Sequence, residues 1–293
     1  MNQQLEPQSA KTIVLTGGTD GIGRALAQRL LRDGHRLLLL ARNPDKAAAV
    51  CRALQTETGK KSVDWIRCDL ASFSSVRSAA AEVLSRQPRI DVLVNNAALL
   101  GHAYQETEDG LEAHLAVNYL APFLLTHLLL PALRATGQSR IVNVSGETAR
   151  IARIKLDDLG RRRGFGVLGA YGQSKLALIL FTRTLAERLD SAQVIVNALH
   201  PGAVQTAHVA AGPTWMARLW DALVRGRGPE RAVSAIARLA VDPALRDVTG
   251  RYYFGSLRAF APFSAYRRGL REALYERSAA LVNLEPKLLA GRP

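Results

Sequence analysis

Apolar and polar positions alternate along the chain in two repeating patterns. The first is a short run of apolar residues, rich in valine, isoleucine and leucine, which is typical of a buried strand. Such runs occupy Thr12–Thr16, Arg36–Ala41, Val63–Cys68, Ile90–Asn95, Arg140–Ser145 and Val194–His200. The second is a longer stretch with apolar residues at helical spacing. It occupies Ile22–Arg32, Ser74–Arg86, Leu111–Arg134 and Ala170–Asp190.

The order of these segments predicts an α/β fold. A strand followed by a helix and another strand requires a crossover connection, and such connections make neighbouring strands parallel. We therefore expect a Rossmann-type, doubly wound parallel sheet with helices on both faces, in three layers. After His200 the pattern weakens, but it still predicts a helix over Glu230–Ala240 and a short strand over Arg251–Phe254. Since no repeat or long linker interrupts the chain, we expect one domain over residues 1–293.

A glycine-rich turn, Thr16–Gly23, joins the first predicted strand to the first predicted helix. Glycine permits positive φ and lets a backbone without Cβ approach a ligand, and the free N–H groups of a helix start attract an anion. A glycine-rich turn alone is often only a tight turn. At this place in an α/β chain, however, it is typical of a site for the pyrophosphate of a dinucleotide.

The residue type at the end of the second strand indicates which dinucleotide binds. NAD-specific sites carry an acidic side chain there for the ribose hydroxyls, whereas this chain has Arg42 followed by Asn43. A guanidinium suits a ribose 2′-phosphate, so we expect NADP(H); the alternative is an exposed arginine that begins a loop. Asp69, after the third strand, suits either the adenine amino group or a helix start.

Tyr171 and Lys175 lie four residues apart in a predicted helix, so both side chains project from one face. A free tyrosine has a pKa of about 10 and exchanges protons poorly at neutral pH, whereas an adjacent ammonium lowers that value. Tyrosine and lysine at this spacing often only cover a helix surface. This pair begins the helix after the fifth strand, at the carboxyl edge where ligands bind, which favours a general acid/base.

These motifs, taken together and in order, resemble the short-chain dehydrogenase/reductase family, and most closely its retinol dehydrogenase-like branch. The similarity covers nearly the whole chain. The matching segments are Thr16–Gly23, Asp69–Leu70, Asn95–Ala97, Asn118, Tyr171–Lys175 and Pro201–Gly202, and Val117–Thr126 and Val248–Phe254 are similar to segments of the branch. The resemblance implies an NADP(H)-dependent oxidoreductase that interconverts an alcohol and its carbonyl.

The resemblance also implies roles for individual residues. Tyr171 exchanges the proton, Lys175 holds the nicotinamide ribose, and Asn118 anchors a water of the proton relay. The residues expected at the cofactor are Gly17, Thr19, Gly21, Ile22, Gly23, Arg42, Asn43, Asp69, Leu70, Asn95, Ala97, Tyr171, Lys175, Pro201, Gly202, Val204 and Thr206. A region over about 203–228, with Trp215 and Trp220, is expected to cover the substrate, and its apolar residues suit a lipophilic one. Core packing, a subunit contact or peripheral membrane contact are equal alternatives for those tryptophans.

One departure from the family pattern concerns the serine that binds the substrate oxygen. Its expected position is Gly146, within the segment Asn143–Thr148. Ser145 serves instead if the strand end shifts by one residue, and Thr148 offers a hydroxyl from the next turn. If neither reaches, the oxygen loses a donor whose removal costs a few kcal/mol of transition-state stabilisation. The alternative function is therefore a cofactor-binding protein or a non-redox catalyst on the same fold.

Composition narrows the remaining choices. The net charge of +14 comes from 39 lysines and arginines spread along the chain, with no aromatic-interleaved basic patch, so we expect a small-molecule substrate and no nucleic acid. Cys51 and Cys68 lack the spacing of a metal site, so we expect inert thiols and no metal. The N-terminal residues lack the apolar core of a signal peptide, and no transmembrane segment is evident. We therefore expect a cytoplasmic protein. The wide apolar surfaces of Leu111–Arg134 and Ala170–Asp190 predict a homodimer contact.

Overall fold

The computed structural model describes residues 9–202 and 229–285, which form one eight-stranded sheet in the order β3-β2-β1-β4-β5-β6-β7-β8. The strands are β1 Thr12–Thr16, β2 Arg36–Ala41, β3 Val63–Arg67, β4 Val92–Asn95, β5 Ser139–Val144, β6 Val194–His200, β7 Tyr252–Phe254 and β8 Leu257–Ala259. Every neighbouring pair is parallel except β7 and β8, which form an antiparallel hairpin at one edge.

Helices cover both faces of this sheet. They are α1 Gly21–Arg32, α2 Pro44–Thr58, α3 Phe73–Arg86, α4 Ala113–Arg134, α5 Val167–Arg188, α6 Glu230–Val241 and α7 Arg268–Leu281. The buried side chains of α3, α4, α5 and α7 form one core, and those of α1, α2 and α6 form a second core on the opposite face. The expected three-layer, doubly wound fold is confirmed.

The strand order places the ligand-binding edge. From β1 the chain proceeds outwards through β2 to β3, and it then returns to place β4 on the other side of β1. The connections that leave the carboxyl ends of β1 and β4 therefore diverge, and they leave a crevice at this edge. The segments Thr16–Gly23 and Asn95–Ala97 leave β1 and β4 at that point.

Helix α2 was not predicted by the apolar pattern. Only Ala47, Cys51 and Leu54 of its residues are buried, so its apolar stripe is too narrow to show periodicity. Its local signals are nevertheless clear: the side chain of Asn43 accepts from the Lys46 N–H at 2.9 Å, and Gly59 ends the helix with φ of 68°.

Both cysteines lie in the described cores as free thiols. Burial raises the pKa of Cys51 to about 11 and the pKa of Cys68 to about 12. A thiol that keeps its proton is a poor nucleophile and a poor metal ligand, which agrees with the expected inert role.

The C-terminal helix α7 covers the outer face of α4 and α5. Tyr275 of α7 donates from its hydroxyl to Nε2 of His127 at 2.6 Å, and its ring lies 5.1 Å from the ring of Phe123. The guanidinium of Arg188 stacks on the same tyrosine ring at 4.0 Å. Burial lowers the pKa of His127 to about 4, so the imidazole is neutral and can accept this hydrogen bond.

This packing corrects the basis of the homodimer expectation. The apolar positions of α4 and α5 beyond one stripe are covered by α7 of the same chain, so they give no reason to expect a subunit contact there. The same burial bears on membrane insertion. Helix α4 is long and apolar enough to cross a bilayer, but 83% of its most apolar window is buried inside the protein.

We predict that Tyr275→Ala lowers the free energy of unfolding by about 3–5 kcal/mol, because it empties a fully packed aromatic site. Tyr275→Phe keeps the ring and loses only the hydrogen bond to His127, so its cost is about 1–2 kcal/mol. Phe260→Ala is the control, because that ring is 93% exposed and its removal changes stability by less than about 0.5 kcal/mol. Urea unfolding measures all three, and equal midpoints for Tyr275→Ala and Phe260→Ala would contradict the packing.

Candidate active site

The glycine-rich turn between β1 and α1 is closed by backbone on one side and open on the other. A Cβ placed on Gly23 would lie 2.0 Å from the carbonyl oxygen of Gly17, and one on Gly17 would lie 2.8 Å from Cα of Ala97. Gly21 has φ of 47°, and no atom lies within 4 Å of a Cβ built on it. The turn thus has the bare, open backbone that a pyrophosphate requires.

Thr19 and Ile22 lie half-buried in the same turn, and Asp20 caps α1 by accepting from the Gly21 N–H at 2.9 Å. The carboxylate of Asp20 also pairs with Lys46 Nζ at 2.7 Å. This ion pair offsets a negative charge that would otherwise repel an anion at the helix start.

Asn96 fixes the turn against β4. Its Nδ2 donates to the carbonyl oxygens of Thr16 and Gly17 at 3.1 and 3.3 Å. The hydroxyl of Thr16 accepts in return from the N–H groups of Asn96 and Ala97, both at 3.0 Å. Asn95 and Ala97 were predicted from the sequence to contact the cofactor, whereas Asn96, the residue between them, was not.

Asn95 has a different place. It is buried, and its Nδ2 donates to Oγ1 of Thr126 at 3.2 Å and to Oδ1 of Asn143 at 2.8 Å. These contacts join β4, α4 and β5 inside the core. The structure therefore gives the Asn95 side chain a positioning role behind the crevice.

Arg42 follows β2 directly and is exposed beside the glycine-rich turn. Its neighbour Asn43 uses its side-chain oxygen to cap α2, so only its backbone is left to contact a ligand. Lys46 in the first turn of α2 lies near the same turn, where its ammonium pairs with Asp20. A ribose 2′-phosphate near Arg42 would therefore be held by the guanidinium of Arg42.

The Asp69–Leu70 segment closes the loop between β3 and α3. Oδ1 of Asp69 accepts from the N–H of Ala71, and its own N–H donates to Oγ of Ser75, both at 2.9 Å. Leu70 is half-buried against the core. The carboxylate keeps a second oxygen beyond this turn, which is compatible with the expected adenine contact.

Tyr171 and Lys175 both lie on the first half of α5, with Lys175 Nζ 5.8 Å from the centre of the tyrosine ring. Lys175 is buried, and its ammonium donates to the carbonyl oxygen of Val144 at 2.9 Å. Burial lowers the pKa of Lys175 to about 8 and raises the pKa of Tyr171 to about 12.

These shifts differ from the expectation that the ammonium lowers the tyrosine pKa. Removal of the phenol from water disfavours the phenolate, and at this separation the effect of burial prevails. Tyr171 therefore keeps its proton at neutral pH.

Asn118 lies in a π-helical turn, Ala116–Leu120, within α4. Its Oδ1 accepts from the Leu99 N–H at 2.6 Å, and its Nδ2 donates to the Leu99 carbonyl at 2.9 Å and to Ser174 Oγ at 3.1 Å. Such π turns are frequent at functional sites. Because both amide hydrogens are used, only Oδ1 of this side chain has capacity left for the expected relay water.

The segment after β5 decides which residue faces Tyr171. A Cβ placed on Gly146 would lie 3.3 Å from Tyr171 Oη. The hydroxyl of Ser145 is buried and donates to the backbone carbonyl of Lys175 at 2.9 Å. In this arrangement Gly146, and not Ser145, faces the phenol, and the Ser145 hydroxyl links the end of β5 to α5.

Thr148 is the remaining hydroxyl in this segment. Its Oγ1 is buried and has no hydrogen-bond partner in the described part of the chain. Its Cβ lies 3.4 Å from a Cβ placed on Gly172, the residue after Tyr171. An unsatisfied hydroxyl beside the catalytic helix is available to a ligand.

Two histidine–carboxylate pairs flank the site, and the sequence analysis missed both. His114 Nδ1 lies 2.5 Å from a carboxylate oxygen of Glu112, and its Nε2 accepts from the Gly101 N–H. The His114 ring lies 6.3 Å from the ring of Tyr171. His200 meets Glu147 with Nε2 at 3.1 Å. Burial lowers the pKa of His200 despite this carboxylate.

The remaining expected residues lie beyond β6. Pro201 and Gly202 follow the strand, and Gly202 has φ of 97°, which requires glycine. Val204, Thr206 and the region over about 203–228 lie outside the described residues. Arg162 pairs with Glu106 and Arg163 pairs with Asp157, both at 2.9 Å.

Comparison with known proteins agrees with this arrangement. The family model of the short chain dehydrogenases matches residues 11–217. Retinol dehydrogenase 13 of Homo sapiens is 36% identical over 292 residues, which is 97% of this chain and 88% of that protein. An uncharacterised protein from Mycobacterium paratuberculosis superposes with a TM-score of 0.75 at 30% identity, over 94% of each chain.

A short chain dehydrogenase from Shigella flexneri, solved in complex with NADP, superposes with a TM-score of 0.67 at 27% identity, over 84% of this chain and 96% of that chain. The ordered motifs, the fold and these similarities lead to one conclusion. The chain belongs to the short-chain dehydrogenase/reductase family of oxidoreductases, in its retinol dehydrogenase-like branch.

Proposed function

We propose that this protein is an NADP(H)-dependent oxidoreductase that interconverts a lipophilic alcohol and its carbonyl, with Tyr171 as general acid/base. The observation that carries the proposal is the phenol of Tyr171 beside the buried ammonium of Lys175, at the carboxyl edge of the sheet, with the ammonium nitrogen 5.8 Å from the centre of the tyrosine ring.

The residues at the crevice fit a dinucleotide phosphate. The open backbone at Gly21 suits the pyrophosphate, and Arg42 suits the 2′-phosphate. Asp69 and the segment Asn95–Ala97 line the edge between these points and Lys175. When bound, the nicotinamide supplies the hydride.

The protein's own groups supply the proton and the position of the oxygen. Tyr171 Oη donates its proton to the carbonyl oxygen of the substrate, and Lys175 stabilises the phenolate that remains. The hydroxyl of Thr148, which lacks a partner in the described structure, supplies the second hydrogen bond to the oxygen. Asn118 holds the start of the relay that returns a proton to Tyr171.

The preference for a lipophilic substrate is supported by a chain of aromatic rings beside Tyr171. The His114 ring lies 6.3 Å from that of Tyr171, Phe165 lies 6.2 Å from His114, and Tyr104 lies 5.4 Å from Phe165. Rings in this arrangement form an apolar wall that suits a long or conjugated hydrocarbon. The name of the human relative, retinol dehydrogenase 13, specifies such an alcohol for that protein.

A second candidate function is favoured by Gly146 alone. The place beside Tyr171 Oη where a serine hydroxyl is expected carries only a hydrogen atom. If Thr148 does not reach the oxygen, the site binds the cofactor but performs weak or redirected chemistry. Replacement of Gly146 distinguishes the two functions.

We predict that Arg42→Asp weakens NADP(H) binding about 10- to 100-fold and reverses the preference towards NAD(H), because it removes a charge-assisted partner of the 2′-phosphate. Fluorescence titration of both cofactors measures the effect. Arg52→Asp, on an exposed position of α2, makes the same charge change and leaves both affinities nearly unchanged. Equal affinities of the unmutated protein for the two cofactors would refute the NADP assignment.

We predict that Tyr171→Phe lowers kcat for carbonyl reduction at least about 100-fold, because the proton donor is lost, while NADPH affinity changes little. The assay follows NADPH consumption with a panel of lipophilic aldehydes and ketones. Tyr104→Phe is the control, because it removes a hydroxyl from the pocket wall without touching the proton donor. Full activity of Tyr171→Phe would show that the acid/base assignment is wrong.

We predict that Gly146→Ser is tolerated, because its backbone is extended and its tight 3.3 Å contact is with Tyr171 Oη, the end of a side chain that relieves it by a small shift. On the leading proposal, the unmutated protein is already active, Gly146→Ser changes kcat/KM by less than about tenfold, and Thr148→Val lowers it about 10- to 1,000-fold. On the second candidate function, the unmutated protein is nearly inactive and Gly146→Ser raises ketone reduction. Steady-state kinetics on the same carbonyl panel distinguishes these results.

A further inference from the structure

Large apolar side chains are exposed in one short segment of the protein, which we name the 254–266 patch. Seven large apolar residues are exposed in the described part of the chain, and five of them lie in this segment. Their exposed fractions are 42% for Phe254, 75% for Leu257, 93% for Phe260, 84% for Phe263 and 45% for Tyr266. Contiguous exposed apolar surface of this kind marks an interaction site.

The way the patch folds reverses the usual distribution of apolar residues. Ala261 and Ala265 are buried, whereas Phe260 and Phe263 beside them point outwards. Tyr266 fixes this arrangement, because its hydroxyl accepts from the Ala261 N–H at 3.3 Å and its ring stacks on the guanidinium of Arg183 at 4.3 Å. The small residues hold the segment to the core, and the large rings are presented to the surroundings.

Positive charge surrounds the exposed rings. The sequence from 248 to 271 contains five arginines and no aspartate or glutamate. Of these arginines, Arg271 is buried and pairs with Glu187 at 2.9 Å, and the other four are exposed: Arg251, Arg258, Arg267 and Arg268. An apolar centre within a basic rim matches the acyl chains and negative headgroups of an anionic lipid surface. A second copy of this chain would instead place arginines against arginines, which disfavours self-association.

The patch adjoins the active-site edge of the sheet. Phe254 ends the parallel strand β7 and pairs with Leu257 of β8 on the same face of the hairpin. The Phe254 ring lies 5.1 Å from the ring of His200, and His200 contacts Glu147, the residue after Gly146. A surface bound at the patch would therefore lie near the segment after β5 that faces Tyr171.

We propose that the 254–266 patch docks this protein on an anionic phospholipid surface, with the active-site edge next to the lipid. Phe260, Phe263 and Leu257 insert between the headgroups, and the arginine rim binds the lipid phosphates. The role of docking in substrate access rests on the proposed function, since a lipophilic carbonyl partitions into lipid and reaches the site from there. The docking itself does not depend on catalysis.

Co-sedimentation of the full chain with vesicles tests the docking. The probes are vesicles of phosphatidylcholine alone and vesicles that also contain phosphatidylglycerol. We expect binding to the anionic vesicles that decreases with added salt. Phe260→Ser/Phe263→Ser weakens this binding at least about tenfold through lost apolar insertion, and Arg258→Glu/Arg267→Glu weakens it at least about tenfold through lost charge attraction.

A matched control lies at the opposite edge of the sheet. Lys60→Glu/Lys61→Glu makes the same change in net charge on exposed residues before β3, so it retains most of the binding if the patch is the docking site. Equal loss in this control and in the arginine variant would overturn the proposal, because binding would then follow net charge alone. Absence of binding to anionic vesicles overturns it as well, as does a concentration-dependent dimer that Phe260→Ser/Phe263→Ser abolishes in light scattering.

Turnover of a water-soluble carbonyl with NADPH separates this inference from the proposed function. Both patch variants retain that turnover and their unfolding midpoints, because the changed side chains are exposed. A patch variant that loses vesicle binding and keeps full turnover is impaired in docking alone. Vesicle binding without turnover of any carbonyl refutes the proposed function and leaves the docking surface standing.

Discussion

The burial of one ammonium group, that of Lys175, determines the geometry of the active-site edge. A buried cation without a partner is strongly unfavourable, so the fold must bring an acceptor to it. The carbonyl of Val144 is that acceptor, and the hydroxyl of Ser145 in turn donates to the carbonyl of Lys175. Two adjacent hydrogen bonds therefore join the end of β5 to α5. This double connection is what holds Gly146 against Tyr171, so the arrangement of the donor groups follows from the burial of the lysine.

Burial of the Tyr171 phenol explains why the nearby ammonium does not lower its pKa. In water, two charges several ångströms apart interact weakly, and a nearby ammonium lowers a phenol pKa only if the phenolate remains hydrated or paired. At this site Tyr171 is half-buried, and the Lys175 ammonium lies 5.8 Å from the centre of its ring. The cost of removing a phenolate from water exceeds the attraction at this distance, so the pKa of the tyrosine is raised. In the proposed reaction, the lysine therefore acts on the phenolate and has little effect on the resting phenol.

Much of the fold could be predicted from the sequence because the strands of a parallel sheet are buried on both faces. Their apolar runs stand out, and the order of strands and helices fixes the edge at which ligands bind. The pairing of Tyr171 with Lys175 was predictable for a different reason, since residues four apart lie on one face of a helix. Helix α2 was not predicted, because only three of its residues are buried.

The parts of the site that sequence reasoning missed are contacts between segments far apart in the chain. His200 and Glu147 meet because β6 lies beside β5, and no local pattern near either residue indicates the other. The direction of the Ser145 side chain could not be predicted either, because spacing alone gives the residue at a position and not where its side chain points. Ser145 donates to the backbone carbonyl of Lys175, whereas a Cβ on Gly146 would face Tyr171 Oη.

Two apolar surfaces lie in or beside the C-terminal part of the described chain, and one is covered while the other is exposed. Helix α7 covers the broad face of α4 and α5 with Tyr275, and the segment just before it leaves Phe260 and Phe263 exposed. An uncovered apolar surface lowers solubility and carries no benefit to folding, since it is not removed from water. Polar residues in place of Phe260 and Phe263 would remove this exposed apolar surface without unfolding the segment, because Ala261 and Ala265 already hold its backbone to the core. The described fold does not require these large rings in an arginine-rich segment, and the proposed contact with a lipid surface gives them a role.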